Sequence, residues 1–157
     1  MTVGTRKYQE QFERVMRWYG LFKNIDEGIL HDRSTDYYQD VVYAFFMNCY
    51  HLKDWIKNDP TVNLPSTKVE IFIKSNLCMK RCADICNGIK HLKLNKASRS
   101  GEHHRFGVRQ YIIELGKGDP TIRIKYSIET PTRTLDAFKL ATECVLKCEK
   151  FIKDYVK

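Results

Sequence analysis

Three observations predict a mainly α fold, a bundle of about five helices with a β-hairpin inserted before the last one. Apolar residues recur at spacings of three and four in four stretches before residue 93 and again after residue 134. Strict alternation of apolar and polar residues is confined to the segment 108–129. Gly, Pro, Ser and Asn collect at the joins between these stretches. With 157 residues, 43% of them hydrophobic, the chain suits one domain over 1–157 with a real core.

The first helix is expected over about 5–22, where Tyr8, Phe12, Val15, Met16, Tyr19 and Phe22 form one stripe and Gly20 weakens the end. A second is expected over 36–58, opened by Asp36 with Gln39 three residues on and closed before Pro60. Its buried face carries Tyr38, Val41, Val42, Phe45, Cys49, Leu52 and Ile56, with His51 on the edge. Thr67 and Glu70 repeat the capping-box spacing and predict a short helix over 68–76, broken by Ser75 and Asn76. The fourth helix, 78–92, turns Cys78, Cys82, Ile85, Cys86, Ile89 and Leu92 inward and Lys80, Asp84, Asn87 and His91 outward.

Periodicity stops over 93–107, which reads as a long mobile loop. A hairpin over 108–129 follows, with Gly116 to Pro120 as its connection. Ile122, Ile124, Tyr126 and Ile128 share one of its faces, which needs helices to pack on because a two-stranded ribbon is marginal alone. The last helix is expected over 134–156 with Thr134 as its cap.

Charge is unevenly placed. Residues 1–78 are neutral, residues 79–109 carry +6 and residues 110–157 carry +2, within a total of +8. A concentrated basic stretch fits a polyanionic partner such as RNA, whose binding rests on phosphate neutralisation, or else a solvated surface loop. No apolar run is long enough to cross a bilayer, and Met1 to Glu10 lacks a signal-peptide core, so a cytoplasmic protein without a membrane partner is expected.

Cysteine spacing argues against a metal centre. Cys78, Cys82 and Cys86 stack along one helix face instead of wrapping an ion, which makes buried free thiols the expectation and a metal or cluster site the alternative. His103 and His104 beside Glu102 are adjacent in a basic loop, where side chains seldom converge on one ion. No metal and no cofactor are therefore expected. Neither a Gly-x-Ser-x-Gly elbow nor a phosphate-binding glycine loop is present.

The most specific local pattern is Asp84, Asn87 and His91, at i, i+3 and i+7 on the polar side of the fourth helix. An Asn and a His one turn apart hold a phosphate or polarise a ribose hydroxyl, and Asp84 is placed to fix the imidazole; the alternative is an ordinary polar face. The basic segment Lys90, Lys93, Lys96, Arg99 and Arg105 adjoins it and is the expected nucleic-acid contact.

The stretches Ala44 to Trp55 (AFFMNCYHLKDW) and Cys82 to Leu92 (CADICNGIKHL) are similar to segments of small bacterial and phage proteins, a likeness that implies no activity. More distantly, the fourth helix resembles that of HEPN domains (higher eukaryotes and prokaryotes nucleotide-binding), helical bundles of which many are metal-independent ribonucleases of toxin and phage-defence systems. That family's motif is Arg, a polar residue, three others and His. Here Cys86 stands in the Arg position, Asn87 in the polar one and His91 in that of the His. The resemblance implies RNA binding with impaired cleavage, since the Arg that contacts the scissile phosphate is missing. The alternative is a non-enzymatic protein-interaction module, such as a toxin-neutralising or defence-complex subunit, with a protein partner.

Overall fold

The computed structural model describes residues 7–91 and 97–156. Among these residues five helices and four strands follow in the order α1 (Tyr8–Glu27), β1 (Ile29–Leu30), α2 (Thr35–Asn58), α3 (Ser66–Ser75), α4 (Leu77–His91), β2 (Arg105–Glu114), β3 (Thr121–Glu129), β4 (Thr134–Asp136) and α5 (Ala137–Tyr155). Among the described residues no helix is long and apolar enough to cross a membrane.

The helices are built on the apolar stripes, and their ends are set by chemistry the stripes do not carry. α1 runs through the exposed Gly20 to Glu27, because Phe22 and Ile25 continue its buried side and outweigh the ~1 kcal/mol that a helical glycine costs. Gly28 then ends it with φ 130°, a conformation that favours glycine, and its N–H bonds to the Asn24 carbonyl at 2.7 Å. The cap of α2 is Ser34, whose hydroxyl accepts from the Tyr37 N–H at 3.4 Å; Asp36 lies inside the first turn. α3 starts directly after Pro65 with no side-chain cap, so Thr67 is an interior residue. Asn76, extended at φ −118° and ψ 115°, separates α3 from α4.

The hairpin is part of a larger sheet. β2 and β3 pair antiparallel with a bulge at Arg109, and the other edge of β3 takes β1 at one end and β4 at the other. Residues 134–136 are therefore strand, and the last helix begins three residues later than its stripe suggests. Asp136, not Thr134, caps it by accepting from the Lys139 N–H at 2.9 Å. A Cβ at Gly107 would lie 2.9 Å from both Ser127 Oγ and Glu129 Oε1 on β3, so a larger residue there requires those side chains to shift.

β3 turns Ile122, Ile124, Tyr126 and Ile128, all buried, onto α1 and α5, which resolves the hairpin's need for a covering layer. Above them Phe22, Phe45 and Phe46 pack as an aromatic cluster with centroids 5.2–6.3 Å apart, and Phe138 of α5 meets Phe22 edge-on at 5.3 Å. Phe106 of β2 closes the cluster against Tyr43 and Phe46. The edge strand β2 extends beyond this cover, leaving Val108, Tyr111 and Ile113 about half exposed and Leu115, just past its end, more so.

Candidate functional site

α4 buries Cys78, Met79, Cys82, Ala83, Ile85 and Cys86 as its apolar stripe requires, yet Arg81 and Asp84 are buried too. The cause is the segment 99–104, which lies over that side of the helix. Asp84 Oδ1 accepts the Arg99 N–H at 2.7 Å, and its Oδ2 accepts both the N–H and the hydroxyl of Ser100, at 3.0 and 2.5 Å. Here the expected outward carboxylate is an inward anchor, because its two oxygens satisfy backbone donors that would otherwise be lost on burial. Its partners are Arg99 and Ser100, a different task from orienting His91.

The same segment is tied down twice more. Arg81 Nη2 lies 3.3 Å from Glu102 Oε2, and Glu102 Oε1 accepts the Thr132 hydroxyl at 3.3 Å from the β3–β4 connection. Burial alone would raise the Glu102 carboxyl, but hydrogen bonding and charge from Arg81 outweigh it and hold the group below its usual range. Between the two carboxylates sits the His104 ring, its side chain 3% exposed, with Nδ1 3.9 Å from Asp84 Oδ2 and Nε2 4.0 Å from Glu102 Oε2. Neither ring nitrogen has a hydrogen-bond partner among the described residues, nor does Arg81 Nε. Burial pulls the His104 pKa down more than Asp84 and Glu102 pull it up, which keeps the ring neutral at pH 7. The expected mobile loop is thus held from residue 99 onward by a buried polar network.

Of the residues proposed for nucleic acid, Lys90 and Arg105 are exposed and have no ion-pair partner among the described residues. Arg99 is engaged: its guanidinium lies 3.8 Å from Glu70 Oε2 and 5.6 Å from the centre of the Tyr50 ring, joining the segment to α2 and α3. Glu70, hydrogen-bonded by Lys57 as well, is held below the usual carboxylate range by that bond first and by the surrounding cations. Asn87 is half-buried, and His91 closes α4. Lys93 and Lys96 lie outside the described residues.

His51 of α2 is a neighbour that α4 acquires only in the fold. Its Nε2 lies 3.8 Å from Cys86 Sγ, beside Asn87, and burial pushes that thiol up to about 11, so it stays protonated. His51, Arg81, Ser100, Glu102 and His104 all join this region through contacts between distant segments, which spacing along one helix does not reveal. Comparison with family models, with curated proteins and with solved structures gives no match.

Proposed function

We propose that the chain binds RNA or another nucleotide-bearing polyanion at the C-terminal end of α4, as a HEPN-like bundle with impaired ribonuclease chemistry, of the kind used in toxin and phage-defence systems. The observation that carries this reading is the Asp84 clamp on Arg99 and Ser100. It fixes where the basic segment returns to the fold, at the middle of the helix whose following turns carry Asn87, Lys90 and His91. Impairment follows from Arg81: it is buried and paired with Glu102, so α4 offers no arginine to a scissile phosphate. Any residual cleavage would be attack of a ribose 2′-hydroxyl on the adjacent phosphate, with His91 moving the proton and Lys90 stabilising the developing charge.

The test is an RNA-binding series with the full chain at two salt concentrations. Affinity falls steeply with salt, and Lys90→Gln with Arg105→Gln weakens it and makes the slope shallower by roughly 0.7 per lost contact on a single strand. Affinity unmoved by salt and by both substitutions overturns the reading.

A second reading, a protein-interaction module, is favoured by β2. Its outer edge is unpaired among the described residues, and Val108, Tyr111, Ile113 and Leu115 put exposed apolar surface along it.

A further inference from the structure

All six cysteines of the chain are buried and free, and three of them converge. Cys49 of α2, Cys82 of α4 and Cys144 of α5 bring their sulfurs within 4.8 Å of one another where the three helices meet. Their exposures are 1%, 0% and 0%. Cys148, one turn beyond Cys144, lies outside this trio, with its Sγ 4.0 Å from Met79 Sδ. The four-residue spacing on α4 supplies only one ligand to this group; the others arrive from helices far away in sequence.

The donor set is uniform and soft. An ion held by three thiolates at ~2.3 Å in a trigonal plane needs sulfurs ~4 Å apart, so the observed group closes on an ion with shifts of well under an ångström. Hard cations are excluded by the lack of oxygen donors, and thiolates select zinc-like or cuprous ions. Charge decides between those two: three thiolates around a divalent ion leave one net negative charge in an apolar core, whereas around a monovalent ion they leave two. Without metal, Cys82 donates to the Phe46 carbonyl at 3.5 Å and Cys144 to that of Cys78 at 3.4 Å, and neighbouring thiols with burial push Cys144 up, keeping it protonated.

We propose that Cys49, Cys82 and Cys144 form a buried three-sulfur structural site for one divalent thiophilic d10 cation of the zinc class. Binding replaces each coordinating S–H by an S–metal bond and releases its proton to solvent, without any change of oxidation state. The site is buried away from solvent and serves to lock α2, α4 and α5 together, independently of the RNA-binding end of α4.

Because the site is buried, the metal is offered as the chain folds. The full chain is produced in zinc-supplemented medium and assayed by elemental analysis; reduced, unfolded chain is then refolded with Cd2+ as the optical probe. The expected result is about one zinc per chain and a thiolate-to-cadmium charge-transfer band saturating near one equivalent. Cys82→Ser weakens Cd2+ binding more than roughly 100-fold, while Cys86→Ala, at a cysteine outside the trio, leaves it intact. Substoichiometric zinc with no cadmium band in the unaltered chain overturns the proposal even if Cys82→Ser does not fold. A band that survives Cys82→Ser in a folded chain, or uptake of Cu+ in place of the divalent ions, overturns it equally.

Discussion

Asp84 Oδ2 receives both the backbone N–H and the hydroxyl of Ser100, sixteen residues further along the chain, at 3.0 and 2.5 Å. With the Arg99 N–H on Oδ1, one carboxylate on α4 holds the start of the segment that leads into β2. Asp84→Asn keeps the shape but loses an acceptor and the charge, and is expected to lower stability by roughly 1.5–3 kcal/mol in urea unfolding. Hydrogen exchange at the Arg99 and Ser100 amides is expected to accelerate beyond what this global loss explains. RNA affinity falls with it if the anchored segment is the binding element. Unchanged exchange at both amides would remove the anchor.

The helices were legible because their stripes are self-contained: Tyr38 to Ile56 on α2 repeats strongly enough to need no partner. Helix ends were less so, since Ser34 and Asp136 each won the capping position over a neighbour with equally good chemistry, and only the direction of the incoming chain decides that contest. β1 has two residues and β4 has three; such strands exist because β3 offers an edge, and nothing in their own sequences announces them. At the candidate site Asn87, Lys90 and His91 are proposed from spacing and charge. Asp84 could be found but not its role, because its partners are backbone groups of a segment whose path has no periodic signal.

His104 makes stability depend on pH in a defined direction. Its folded pKa is lowered by burial, with Arg81 and His103 adding to the shift and Asp84 and Glu102 opposing it. Between that lowered value and the ordinary value near ~6.5, the unfolded chain binds more protons than the folded one. The contribution of the neutral ring is therefore complete above ~6.5 and is lost as pH falls through the window. Urea midpoints measured at neutral and mildly acid pH are expected to converge in His104→Leu relative to the unaltered chain. Equal pH dependence in both proteins would show that the ring is not held neutral by its surroundings.

Phe45 tests the aromatic core that seats the sheet on the helices. It is fully buried and touches Tyr19, Phe22 and Phe46, at centroid distances of 5.9, 6.1 and 5.2 Å. Phe45→Ala should cost about 3–5 kcal/mol, the range for removing a buried aromatic ring. A loss under about 1 kcal/mol in denaturant unfolding would mean that the cluster closes around the gap or is not packed as described.

The last prediction separates a site from a surface at the end of α4. Asn87 and His91 stand one turn apart on the helix, and Asn87 lies outside the buried stripe through Cys82, Ile85 and Cys86. Replacing either by Ala is expected to change stability by no more than about 0.5 kcal/mol, as at an ordinary helix surface. Only the functional readout then distinguishes the two cases. At a site, each substitution weakens RNA binding or cleavage, and the double variant loses less than the sum of the two, because both act on one bound group. On a surface, all three variants bind as the unaltered chain does. Arg81→Gln supplies the contrast: breaking its pair with Glu102 in a buried setting is expected to destabilise the fold, with any loss of RNA binding following from that. If Arg81→Gln instead abolishes cleavage in a chain of unchanged stability, the arginine has left Glu102 for the substrate, and impaired chemistry is the wrong description of α4.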